Sequence, residues 1–179
     1  MKSEQHQIKK AAEKIGAELG KENKDQEQTT IDKILKKGAM PKDAMGLSDS
    51  MIEGIYAQAY RLYNTGKYKD AAQLFRLLIM LNSTEAKYAM GLAACFHMMK
   101  EYKNAVEMYA LCAIIDPVSP VPHFHSSDCY IQMKDPISAL IALEMAIKRA
   151  GTQPTYQTLR DRALLTVESL KKEMQKPKE

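Results

Sequence analysis

The sequence predicts an all-α fold: a solenoid of three stacked helix pairs, preceded by a short N-terminal helix and closed by a C-terminal capping helix. Three observations carry this. Four sets of positions recur every 34 residues, namely Tyr68 and Tyr102; Ala71, Ala105 and Ala139; Phe75, Tyr109 and Leu143; and Leu62, Phe96 and Tyr130. The alanine set falls early in each second helix, where a side chain larger than methyl would push apart helices whose axes approach within about 8–10 Å. Ala59 and Ala93, with Ser127 in the third pair, serve the same end from the first helices. Turn residues then punctuate the periodic stretches at matching places. A fixed period of this length is the signature of the tetratricopeptide repeat, whose helix–turn–helix unit buries its apolar face only by stacking on neighbours. The inner surface of such a stack is typically a binding surface.

The elements follow in order. Residues 1–27 are polar, with apolar side chains only at Ile8, Ile15 and Leu19 in a helical spacing, and form a flexible charged arm with too little apolar area to fold alone. Residues 28–47 hold a short helix, opened by Thr30 as cap and stopped at Gly38 and Pro41, then a linker from Pro41 to Leu47. Residues 48–151 hold the three repeats, at about 52–85, 86–119 and 120–151. In the first, Ser48 or Ser50 caps a helix running to Asn64, and Thr65-Gly66-Lys67 turns into a partner from Tyr68 to Leu81. Asn82-Ser83-Thr84 recaps, and the second pair runs from Glu85 to Met99 and from Tyr102 to Ile115. The third begins near Pro120, turns at Lys134-Asp135-Pro136 and ends before Gly151, with Pro136 in the place of Tyr68 and Tyr102. Gly66 suits a turn needing permissive backbone angles; Lys100 and Lys134 replace it, so that signal weakens along the chain. Residues 152–179 give a capping helix, Thr155 to Glu173, and a basic tail; Leu159, Ala163, Val167 and Leu170 share one side and leave a polar outer face.

Composition narrows the function. The 179 residues suit one domain of ordinary globular composition, 45% hydrophobic and 27% charged. The net charge of +4 is uneven: residues 1–47 carry ten Lys/Arg against eight Asp/Glu, residues 48–147 eight against ten, and residues 148–179 eight against four. The repeats are thus slightly acidic, which argues against a nucleic-acid groove along them. Cys95, Cys112 and Cys129 lack any C-x-x-C pairing; Cys112 and Cys129 suit buried thiols, and the odd count suits a reducing compartment. With no apolar signal core and no run long enough for a membrane span, the expected location is the cytoplasm, without membrane insertion. No phosphate loop, no nucleophile elbow and no metal-ligand spacing appears; His123 and His125 are two apart on a helix and do not share a face. Neither catalysis nor a cofactor or metal is expected.

A binding groove is. On each first helix the face turned inward carries a stripe: Tyr56, Tyr60 and Tyr63; then Met90, Ala94 and His97; then Phe124, Asp128 and Ile131. Tyrosines at four- and three-residue spacing offer rigid apolar area with hydroxyl handles, suited to an extended peptide. Twelve methionines are many for this length. Among Met90, Met98, Met99, Met108 and Met133, only Met90 belongs to the stripe, and core filling is the expected role of most of the rest.

The residues also carry a resemblance. Ile55-Tyr56-Ala57-Gln58-Ala59-Tyr60-Arg61-Leu62-Tyr63-Asn64-Thr65-Gly66-Lys67-Tyr68 resembles the first repeat of the class II chaperones of bacterial type III secretion. So do Ala72-Gln73-Leu74-Phe75-Arg76-Leu77-Leu78, Met90-Gly91-Leu92-Ala93-Ala94 and Pro122-His123-Phe124-His125-Ser126-Ser127-Asp128-Cys129, and the likeness spans roughly residues 29 to 150. The resemblance implies a bacterial cytoplasmic chaperone that binds hydrophobic translocator proteins in its concave groove and keeps them soluble and unassembled before secretion. It places an extended translocator segment along Tyr56, Tyr60, Tyr63, Ala94, His97 and Phe124. It implies a homodimer contact in the short helix, at Ile31, Ile34 and Leu35, and a transcription regulator as a further partner. The arm 1–27 and the basic tail depart from the family pattern. The competing reading is a tetratricopeptide-repeat adaptor or scaffold that co-regulates transcription or assembles protein complexes by gripping a partner's C-terminal carboxylate. That needs a Lys or Arg clamp in the groove, and the first-helix stripes contain none.

Overall fold

In a computed structural model of the chain the described residues are 30, 32–34, 36 and 38–175. Among them there is no strand. The chain divides into two compact units between Asp49 and Ser50.

In the first unit the described residues 30, 32–34 and 36 are helical, with Lys36 paired to Asp32 one turn away at 3.0 Å. Gly38 takes a positive φ of 63° and its N–H closes back on the Ile34 carbonyl, which stops the helix. The segment expected as a plain linker contains one helical turn, Pro41–Ala44. Proline at the first helical position presets φ and gives up an N–H that has no helical partner there. Lys42 reaches forward to Asp49 at 2.6 Å.

The second unit holds α1 (Asp49–Asn64) from that helix's second residue on, then α2 (Tyr68–Leu81), α3 (Ala86–Met98), α4 (Tyr102–Ile115), α5 (Val121–Gln132), α6 (Pro136–Ala150) and, after a 3₁₀ turn at Pro154–Tyr156, α7 (Gln157–Met174). Each helix from α2 onward packs on the next, so every second helix lies between its own first helix and that of the following pair. Rings join α1 to α2, with Tyr56 edge-on to Phe75 at 6.1 Å and Tyr63 edge-on to Tyr68 at 5.5 Å.

The repeating positions make the core. Ala59, Ala71, Ala93, Ala105 and Ala139 are fully buried, and Phe75, Tyr109 and Leu143 nearly so. Each large apolar side chain withdrawn in this way contributes about 1.5–3 kcal/mol. Ser127 fits the alanine position because its hydroxyl donates to the Phe124 carbonyl at 2.6 Å, and buried Ser126 donates to Pro122 at 2.9 Å. The close approach of α3 to α2 leaves no room for a side chain at Gly91, where a Cβ would overlap the Phe75 ring.

The three intra-pair turns are one structure written in different residues. The N–H of Gly66 bonds to Tyr63 and that of Lys67 to Leu62; Lys100 and Glu101 bond to His97 and Phe96, and Lys134 and Asp135 to Ile131 and Tyr130. Gly66, Lys100 and Lys134 all take positive φ, at 77°, 61° and 59°. The left-handed cap persists although glycine does not.

Two expectations fail in this unit. The outer face of α7 is not wholly polar: Ala163, Val167 and Leu170 bury against Ala139 and Leu143, but Leu164 and Leu165 stay exposed. Nor do the methionines fill the core. None of the described methionines is buried, Met80 and Met98 are exposed, and Met90, Met99, Met108 and Met133 are half-buried. Helices held this close together take alanine and rigid rings inside, which leaves the long thioethers to the rims.

Candidate ligand-binding groove

The stripes of the first helices α1, α3 and α5 share the 34-residue register that the buried alanines establish. On α1, Tyr60 is 54% exposed, while Tyr56 and Tyr63 are half-buried. Tyr56 stacks on Tyr60 with ring centroids 6.4 Å apart and leans on buried Tyr88 of α3 at 5.8 Å. The tyrosines are therefore braced from behind and present one face outward, which suits recognition with little loss of side-chain freedom. Met90, Ala94 and His97 on α3 are all half-buried, as are Phe124 and Ile131 on α5, and Asp128 is exposed.

A ladder of rings continues across the pairs. His97 meets Tyr102 edge-on at 5.8 Å and places Nδ1 3.4 Å from the Tyr109 hydroxyl. Tyr109 stacks on His125 at 5.6 Å, His125 meets Phe124 at 5.8 Å, and the Arg162 guanidinium of α7 lies 5.6 Å from the Phe124 ring centroid. Burial, and then the neighbouring His97, hold His125 below the usual histidine range, with Asp128 pulling the other way. Burial pushes the Tyr109 hydroxyl well up, so it stays protonated.

Sequence reasoning missed two residues here. Lys87 pairs with Glu53 and sets its ammonium 4.7 Å from the Tyr56 ring and 5.5 Å from that of Tyr88. Glu53 and Lys87 are 34 apart, so the period that found the core would have found this pair too. His125 and Tyr109 were legible only as a core position and a doubtful metal motif; their stacking needs three dimensions. Of the expected dimer residues, Ile34 is half-buried, while Ile31 and Leu35, like the arm 1–27, lie outside the described residues.

Two hollows lie elsewhere on the stack, one of them reaching the end of the α5 stripe at Ile131. One of about 510 Å³ opens between the second helices α2 and α4 over Leu92 and Phe96, and one of about 440 Å³ lies between Ile131, Pro136, Leu170 and Met174. Neither gathers catalytic groups. Burial pushes the thiols of Cys95, Cys112 and Cys129 up to about 11, so they are protonated and poor nucleophiles at neutral pH. Among the described residues no three His, Cys, Asp or Glu side chains gather as metal ligands, and no helix is long and apolar enough to cross a membrane.

The stacked helix pairs and their 34-residue register define a tetratricopeptide-repeat protein. The tetratricopeptide-repeat family model matches residues 52–83 and 86–117. The chain is 30% identical to low calcium response locus protein H of Yersinia pseudotuberculosis over 83% of its own length and 89% of that protein's. It is 31% identical to the chaperone protein SicA of Salmonella dublin, over 75% and 79% respectively. Among solved structures it resembles PcrH, a protein of Pseudomonas aeruginosa, in complex with the chaperone binding region of PopD, with a TM-score of 0.69 and 32% identity over 72% of this chain and 97% of that one. The chain belongs to the tetratricopeptide-repeat translocator chaperones of type III secretion.

Proposed function

We propose that this chaperone holds an extended apolar segment of a hydrophobic translocator in the groove lined by Tyr56, Tyr60, Tyr63, Met90, Ala94, His97, Phe124, Asp128 and Ile131. The observation that carries this reading is the braced tyrosine stripe, with Tyr60 turned out to solvent while Tyr56 packs on Phe75 and Tyr88. An exposed ring held in place by buried ones is costly on a surface that binds nothing and useful on one that receives apolar side chains. PcrH was crystallised with the chaperone binding region of PopD, which supports a segment of a translocator as ligand here. Bound translocator would be shielded from aggregation and early assembly in the bacterial cytoplasm, with no catalytic step. The adaptor reading needs several basic side chains closing on one C-terminal carboxylate, and of the cations that lie over stripe rings, Lys87 and Arg162, the first is already paired to Glu53.

The test is the double substitution Tyr60→Ala with Tyr63→Ala. It should abolish co-purification of a co-expressed translocator and leave helical content nearly unchanged, with melting lowered modestly by loss of the Tyr63–Tyr68 ring contact. A folded double variant that still retains translocator would remove these residues from the site.

A further inference from the structure

The capping helix continues the groove. Thr158, Arg162 and Leu165 stand 34 residues beyond Phe124, Asp128 and Ile131. The register is physical as well as numerical, because Cys95, Cys129 and Ala163 lie on a further line at the same interval and are all fully buried. α7 therefore stands as the first helix of a fourth pair. No second helix follows it among the described residues, which accounts for exposed Leu164 at the register of buried Phe96.

The central line of the groove then reads Tyr60, Ala94, Asp128, Arg162, from aromatic to ionic. The charges at its two ends differ in availability. Glu53 and Lys87 neutralise each other, whereas among the described residues neither Asp128 nor Arg162 enters an ion pair. Arg162 is exposed and rests on the Phe124 ring, which fixes its position while leaving its planar donor fork open.

Resting on the groove reading above, we propose that Arg162 is a carboxylate-binding subsite of the groove, taking an acidic side chain of the bound apolar segment. An extended chain advances about 3.3 Å per residue and neighbouring helices stand about 8–10 Å apart, so about three residues separate side chains seated on the α5 and α7 lines. Asp128 repels an acidic side chain at the α5 line, so the two charges together set where along the segment the acid must stand and which way the segment runs.

The test uses the full chain on an array of peptides of about twelve residues, enough to span the four inner helices. The peptides are built from Leu, Val and Pro, blocked at both ends, with Asp, Asn or Lys scanned through each position. Wild type should retain peptides with Asp at one position about three- to tenfold better than those with Asn there. Arg162→Glu should transfer the preference to Lys at that position, and Arg162→Gln, which keeps the stem over Phe124, should abolish it. Equal retention of Asp, Asn and Lys peptides by wild type, or an Asp preference that survives in Arg162→Glu, overturns the subsite while leaving the groove standing. If wild type retains no apolar peptide of any charge, the groove reading falls and the subsite with it.

Discussion

Lys100 and Lys134 hold backbone angles that a glycine would hold at less cost. Both take φ near 60° in the turn where the first repeat has Gly66, and a side chain in that region costs roughly 1 kcal/mol. Lys100→Gly and Lys134→Gly should therefore each raise stability by about 0.5–1 kcal/mol in urea unfolding; a fall in midpoint would contradict the strained-cap account. The sequence hid this feature because a lysine there looks like any surface lysine, while the hydrogen bonds that fix its angles belong to the backbone of the preceding helix. His125 is the other residue with a measurable signature. Its folded-state pKa lies below the 6.5 of a free histidine, held there by burial and by His97 and Arg162 against the opposing pull of Asp128. As pH falls, the unfolded chain takes the proton first, so stability is full above about pH 6.5 and declines below it. The melting temperature should be flat from about pH 7 to 8 and drop on acidification, less so in His125→Phe, which keeps a ring against Tyr109. A melting temperature that rises as pH falls would reverse the sign.

At the scale of elements, the 34-residue period located the helix pairs because it records packing. Ala71, Ala105 and Ala139 recur where two axes approach most closely, and a close approach admits only small side chains. Gly91 is the sharpest case. A methyl there meets the Phe75 ring, so Gly91→Ala should cost about 1–3 kcal/mol despite the better helix propensity of alanine. Gly54→Ala in α1, with nothing near its Cβ position, is the control and should be neutral or slightly stabilising. Equal effects at the two sites in calorimetry would mean that the α2–α3 contact is looser than described. What the period could not convey was the character of the last element. The apolar set of α7 was legible, but exposed Leu164 and Leu165 break the expected polar face, and their meaning comes only from placing α7 in register with α5.

At the scale of the whole molecule, the second unit is a short stack whose first inner stripe is three tyrosines, one of them exposed. The tyrosine stripe was visible in the sequence because residues four and three apart on a helix must share a face. The ladder from His97 through Tyr109 and His125 to Phe124 and Arg162 was not, since it crosses four helices and no local pattern encodes it. The methionines were misjudged because composition gives their number and not their depth. The central claim, that the inner face is where a translocator segment lies, is tested most directly by site-specific photocrosslinking. A benzoylphenylalanine replaces either Tyr60 on the inner face or Met80 on α2, both exposed, in the full chain co-expressed with a translocator. The account predicts a crosslinked adduct from position 60 and none from position 80. An adduct from position 80 alone would contradict it.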